Sequence, residues 1–399
     1  MTISLRSDRT SRHATVASTA DIRPVGRLLV DAVRNLRGPL PADQTELFID
    51  AVVEAGALHR VGPAIYRRVV NADNAPAGWA SELAKVRAAQ LFRHMRASAD
   101  LAPIADTFDR KGIRWVLAKG PAAADLIWPS PDMREYVDID LFVHPADFAE
   151  ALAALESLGC ALVDRNWPEI RKRKRAELAL TAPAGTPIDL HWDMAVPPSL
   201  RSAFSTDMIG MLSRRRHTVL GSGVAVFTFD PVDTVLHLAF HAAQAGAARL
   251  MWLGDLFYAV RTDGFDIGEL MSRAGRARTE VPVTVVLDRA DRVLGLPSEI
   301  AAGLGECRRR PAARVIRWRD GRVPLPALPG DRNRAADIVS GVRRGTSASA
   351  LAMFRFLLET RRIDRRVRRH GPDAELLDLE VSDSMARADY LSLVAERAC

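Results

Sequence analysis

The chain has 399 residues, of which 48% are hydrophobic and 26% charged, with a formal net charge of +7 and three scattered cysteines, Cys160, Cys307 and Cys399. The length exceeds one ordinary domain, so two or three units are expected. Without any C-x-x-C spacing the cysteines support neither a disulfide framework nor a zinc knuckle; they fit a reducing compartment, and a cytoplasmic protein is expected.

The polar, Ser/Thr/Arg-rich residues 1–23 lack an apolar segment and are read as a disordered tail, not a secretory signal. Residues 24–100 form an N-terminal helical region. VGRLLVDAVRNL and QTELFIDAVVEAGALHRVGPAIYRRVV carry apolar residues at three- and four-residue spacing, with a break expected near Gly56 or Gly62. After the Pro/Gly loop of DNAPAGW, a further helix runs from ASELAK into the next unit.

The pattern changes at Ile113, within a core unit placed at 101–230. IRWVLA is a short strand, Lys119-Gly120-Pro121 a turn, AAADLIW a helix and VDIDLFV a second strand. PADFAEALAALESLG is an amphipathic helix with Pro145 early and Gly159 at its end. ALVD is a third strand, ELALTAPAGTPIDLHW a hairpin and VAVFTFD one more strand. The fold class is therefore α+β, a small mixed sheet flanked by N- and C-terminal helical regions. A C-terminal helical region covers 231–375, with a Pro/Gly-rich linker at 321–334, and an acidic tail covers 376–399. No run of about 18 apolar residues occurs, so no membrane-spanning helix is expected.

Arginine carries most of the positive charge, in clusters at 171–175, 214–216, 308–310 and 361–370. They read as solvated helix faces or as a footprint for a polyanion such as nucleic acid; their dispersal and lack of interleaved aromatic residues favour the first.

Asp138 and Asp140 put two carboxylates on one face of an apolar strand, because residues i and i+2 point the same way. Like charges this close repel unless a cation or protons neutralise them. Either the strand is a solvated edge or a hard cation, Mg²⁺ above all, sits on the pair. Lys119-Gly120 lies where strand meets helix. It is either an ordinary turn or a phosphate-binding loop, where glycine permits close backbone approach and lysine adds charge. Arg134, four residues before Asp138, serves a phosphate or the carboxylates, or is a solvated loop residue. Asp189, in PIDLHW, is a third strand-borne acid, or a hairpin edge residue. Three acids, a glycine turn and a lysine suggest metal-assisted phosphoryl or nucleotidyl transfer, with Asp189 completing the metal site or taking a proton.

The span 113–143, with Lys-Gly, a helix ending in Trp-Pro, and Arg-x-x-x-Asp-Ile-Asp-Leu, resembles the uncharacterised nucleotidyltransferase family of the polymerase-β-like superfold. The resemblance continues through IDLHW and the helical segment to about residue 265. It implies a sheet of minimal nucleotidyltransferase type, Mg²⁺, and a nucleoside triphosphate such as ATP as donor. On it, Asp138 and Asp140 match the metal-binding pair, Asp189 the third acid and Gly120 the phosphate-loop glycine; beside them, Lys119 and Arg134 are candidates with Gly120 for binding the nucleotide, and Asp189 and Lys119 for catalysis. The chain departs from the wider superfamily in having Lys119-Gly120 where that superfamily has Gly-Ser. The expected activity moves a nucleoside monophosphate onto a hydroxyl of a small molecule, peptide, protein or RNA. The alternative is a non-catalytic nucleotide- or nucleic-acid-binding regulatory module.

His237 and His241 have the spacing of a zinc pair, with Asp255 as a conceivable third ligand, but lack H-E-x-x-H and are read as structural or substrate-facing. His191 shares the face of Asp189 and either supports it or fills core. Trp128, Trp192 and Trp252 stack on a base or fill core. No G-x-S-x-G or Walker loop is present.

Overall fold

In the computed structural model of the protein the described residues are 22–320, helical pieces at 338–339 and between 351 and 365, and 383–398. The expected tail up to residue 21 and the linker at 321–334 lie outside them. Helices α1 (Ile22–Val33), α2 (Ala42–Thr45), α3 (Ile49–His59) and α4 (Gly62–Val70) precede the long α5 (Trp79–Arg110). The break expected near Gly56 or Gly62 falls at Arg60, whose φ of 53° ends α3 in a left-handed turn, and Pro63 helps start α4. α5 runs through the boundary expected at residue 100. It lays Ala97, Leu101, Ile104 and Phe108, spaced by three and four, onto the sheet.

The sheet unit follows as β1 (Trp115–Leu117), α6 (Pro121–Leu126), β2 (Ile139–Val143), α7 (Phe148–Ser157), β3 (Ala161–Leu162), α8 (Trp167–Arg173), β4 (Glu177–Thr181) and β5 (Pro187–His191). Its strand order is β1-β2-β5-β4-β3. β2 and β5 run parallel, and the other pairs are antiparallel. The expected mixed α+β class is what the molecule has. After α9 (Pro198–Ala203) and α10 (Met208–Ser213), VAVFTFD supplies β7 (Ala225–Thr228), which pairs with an unexpected β6 (Arg216–Val219). Helices α11 (Pro231–Gln244), α12 (Leu250–Ala259), α13 (Ile267–Arg276), α14 (Glu280–Leu294), α15 (Ser298–Gly303), α16 (Gly305–Arg308) and α17 (Pro311–Asp320) complete the main body. α11 is capped by Asp230, whose carboxylate accepts from the Asp233 N–H at 2.7 Å.

The sheet separates two apolar cores. Trp115, Leu117, Ile139, Leu141, Val143, Leu178, Leu180, Ile188 and Leu190 alternate onto one face, against α5 and α7. Val116, Ala118 and Phe142 point the other way, into a core with Phe229, Leu236 and Phe240. The parallel register sets Asp140 beside Asp189 and Phe142 beside His191, so both acids lie on this second face, under the C-terminal helices.

Candidate metal and nucleotide site

Neither acid-bearing strand is an edge. β2 lies between β1 and β5, and β5 between β2 and β4. Asp140 is fully buried, and Asp189 is half-buried. The solvated-edge reading of these acids therefore does not describe them. A carboxylate so far from water needs a compensating charge.

The compensation comes from two side chains, Lys119 and His191. Lys119 Nζ lies 2.7 Å from Asp140 Oδ1. His191 Nε2 is 3.4 Å from the same oxygen, and His191 Nδ1 is 3.6 Å from Glu177 Oε2. Neither Asp140 oxygen has a hydrogen-bond partner, and both ion-pair contacts fall on Oδ1. The His191 ring stacks on Phe142, with centroids 4.5 Å apart and planes 7° apart, which fixes the direction of its nitrogens. Burial alone would raise the Asp140 pKa, but Lys119 and His191 hold it far below the usual carboxylate range. The same burial would lower the Lys119 pKa; Asp140, Asp138 and Asp189 together raise it.

Asp189 behaves oppositely. Burial, with the charges of Glu177 and Asp140 nearby, pushes its pKa up to about 8. Asp138 stands just before β2, half-buried, and its pKa is raised by burial and by Asp140 against the pull of Lys119 and Arg134. Ligand atoms of Asp140, Asp189 and His191 all lie within 4.8 Å of one another. That cluster does not include Asp138, which adjoins it. The donor set fits a divalent cation: a buried and a half-buried acid on neighbouring strands, the buried one without hydrogen bonds to either oxygen, and an imidazole.

Gly120 has φ of 57°, and a Cβ there would lie 2.4 Å from the Asp138 carbonyl oxygen. The backbone after β1 therefore approaches the acid-bearing segment as closely as only glycine allows. Two residues earlier the Ala118 N–H donates to the Asp140 carbonyl at 3.1 Å. Lys119 is thus pinned over the acids from both sides.

Residues 46–295 match the model of a family described as uncharacterised nucleotidyltransferase. The chain belongs to that family. None of the curated proteins matches it. Among solved structures it is similar to a Thermotoga maritima CCA-adding enzyme complexed with tRNA, at 10% identity over 74% of this chain and 89% of that one, with a TM-score of 0.18. A likeness at that score carries no argument.

Family membership does not decide what each expected site residue touches. Arg134 is buried and forms a two-pronged pair with Asp255, Nε donating to Oδ1 at 2.7 Å and the guanidinium to Oδ2 at 2.9 Å. The Trp128 indole N–H donates to the same carboxylate at 2.7 Å. Asp255 is thereby committed away from the histidine pair. Arg134 Nη1 has no hydrogen-bond partner, and Asp138 and Asp140 add to the charges that raise the Arg134 pKa. His237 packs against Phe142 and Phe229, with neither ring nitrogen partnered, and burial lowers its pKa to about 3. Its ring centroid is 6.1 Å from that of His241, whose pKa is also lowered by burial and by Lys119. Trp192 lies under the Arg201 guanidinium and donates to the Arg175 carbonyl; Trp252 packs on His241 and Arg249.

Two elements of the site were not read from the sequence. Glu177 faces His191 through the β4–β5 register, and counting back from the APAGTP turn is the signal that places it. His94, on α5, sits 3.2 Å from Asp125 and 2.8 Å from the Tyr136 hydroxyl, ties α6 to the segment before β2, and spans distances no short motif reveals.

Proposed function

We propose that the protein transfers a nucleoside monophosphate from a triphosphate to an acceptor hydroxyl. The acceptor oxygen bonds to the α-phosphorus, the bond to the α,β-bridging oxygen breaks, and pyrophosphate leaves. The observation that carries this reading is the convergence of Asp140, Asp189 and His191 on one sheet face, with neither oxygen of the buried Asp140 hydrogen-bonded. Asp140 and Asp189 would hold Mg²⁺, with Asp138 beside them. That ion would neutralise the triphosphate charge. Lys119 and the close backbone at Gly120 would meet the phosphates, and Asp189, ionised once a cation offsets its neighbours' charge, would complete the metal site or accept the acceptor's proton. Arg134 contributes by shaping this wall and by its positive field rather than as a free phosphate clamp.

The transferase unit on this reading is 101–230, and the flanking helices shape the acceptor pocket. The acceptor is a small molecule, a peptide or protein side chain, or an RNA end. The described cysteines, Cys160 and Cys307, are free and buried, in keeping with a cytoplasmic setting. No helix among the described residues is long and apolar enough to cross a membrane.

Calorimetry with each of the four nucleoside triphosphates, with and without Mg²⁺, tests the proposal on wild type beside Asp138→Ala/Asp140→Ala. Mg²⁺-dependent binding that the double variant loses is the expected result, and it also names the base. A folded wild-type protein that binds no triphosphate would sink the reading. Salt-sensitive affinity for RNA that survives the double substitution would point to the regulatory alternative.

A further inference from the structure

We propose that Lys119 is the built-in second cation of this site, so that the chain binds one divalent metal ion and not two. This rests on the transfer reading above and assigns its metal stoichiometry.

Sites that displace one phosphate oxygen by another commonly use two metal ions about 3.5–4 Å apart, sharing carboxylates. Here one of the shared oxygens is taken. Lys119 Nζ forms an ion pair with Asp140 Oδ1 at 2.7 Å; neither oxygen has a hydrogen-bond partner, and both ion-pair contacts fall on Oδ1. The ammonium is placed by its backbone and not by a mobile loop. Ala118 is hydrogen-bonded to Asp140, and Gly120 packs against the Asp138 carbonyl where any Cβ would collide. Lys119 is only 13% exposed along its side chain, so it has little room to swing into solvent.

The charges agree with this assignment. Asp138, Asp140 and Asp189 bring three negative charges when ionised, and Lys119 returns one positive. A second divalent ion sharing Asp140 would stand beside this buried ammonium and be repelled by it. The ligands agree as well. Among the described residues one cluster offers three ligand atoms within 4.8 Å, that of Asp140, Asp189 and His191. Asp138 adjoins the cluster on the side from which it acts on Lys119. The residue that departs from the superfamily's Gly-Ser pattern is thus the one occupying the second-cation position.

Counting Mn²⁺ bound to the full chain, by the loss of the free-ion electron paramagnetic resonance signal, tests this without any activity measurement. Wild type and Lys119→Arg are expected to bind one ion, and Lys119→Met two, with at least tenfold tighter overall binding. Two ions on wild type would overturn the inference and leave the transfer reading standing. That result needs no variant to fold. A folded Lys119→Met that still binds one ion with unchanged affinity would overturn it equally. Wild type binding no Mn²⁺ would remove both this inference and the metal-dependent reading beneath it.

Discussion

At the scale of single residues the site is organised by unlike answers to the same burial. Asp140 has Lys119 and His191 and stays ionised, whereas Asp189 has Glu177 and Asp140 as neighbours and is pushed up to about 8. A carboxylate with a raised folded pKa contributes its full stability below the unfolded value near 3.8 and loses it as pH rises through the folded value. Metal-free protein is therefore destabilised at Asp189 as pH climbs from 4 to 8. Asp189→Asn keeps the shape and removes the ionisable group. In EDTA at pH 8 it is expected to raise stability on the order of 2 kcal/mol, discounted for partial exposure, and by less at pH 5. Urea melts at the two pH values measure this, and a gain equal at both would remove the electrostatic explanation. The same substitution should abolish the melting shift that Mn²⁺ gives wild type. Such residues stand out in the sequence because charge inside apolar strands is anomalous; Asp138, Asp140 and Asp189 are visible for that reason. Glu177 lies in a pattern that any half-exposed strand would show, and it becomes part of the site only through the register opposite His191.

Between elements, the main tie near the site is the buried pair of Arg134, in the segment leading to β2, with Asp255 on α12. It crosses from the sheet unit to the C-terminal helices, and Trp128 closes it with a third hydrogen bond. Truncating one partner of such a pair leaves a buried charge unpaired, at about 3–5 kcal/mol, while replacing both with apolar residues is far milder. Asp255→Ala is expected to lose stability in that range and to weaken nucleotide binding through displacement of the Asp138 segment. Arg134→Met/Asp255→Leu should recover most of the stability. A double-mutant cycle by chemical denaturation would decide it, and additive effects would mean the two residues act independently. Arg134 reads in the sequence as a phosphate ligand because its partner is 121 residues away. Periodicity and turn chemistry located most of the elements, since those are local properties. The β6–β7 hairpin was half missed because RHTV has no apolar alternation; β6 exists through its pairing with β7.

Across the whole molecule, several arginines of the C-terminal helices are paired with buried carboxylates. Arg214 and Arg273 bond Asp233, Arg289 and Arg292 bond Asp320, Arg308 and Arg317 bond Asp288, and Arg310 bonds Glu280. Among the described residues, the arginine clusters at 214–216 and 308–310 each send members into such pairs. The acidic composition after residue 376 misleads. Residues 384–395 form a helix started by Asp383, whose carboxylate accepts the Ala386 N–H at 2.9 Å. It docks on the sheet unit from the far end of the chain. Tyr390 is fully buried there against Phe148 and Trp167, and its hydroxyl donates to the Arg175 carbonyl at 2.9 Å. One aromatic anchor outweighs the local acidity, because burying a ring of that size gives more than solvated side chains oppose. Tyr390→Ala is expected to lower stability by about 3–5 kcal/mol, and Tyr390→Phe by about 1 kcal/mol through the lost hydrogen bond. The helix covers the sheet face opposite the acids, so Mn²⁺ affinity of the folded Tyr390→Phe protein should equal that of wild type. Equilibrium unfolding with Mn²⁺ titration separates the two effects. If Tyr390→Ala is as stable as wild type, the C-terminal helix is not an anchor of the sheet unit.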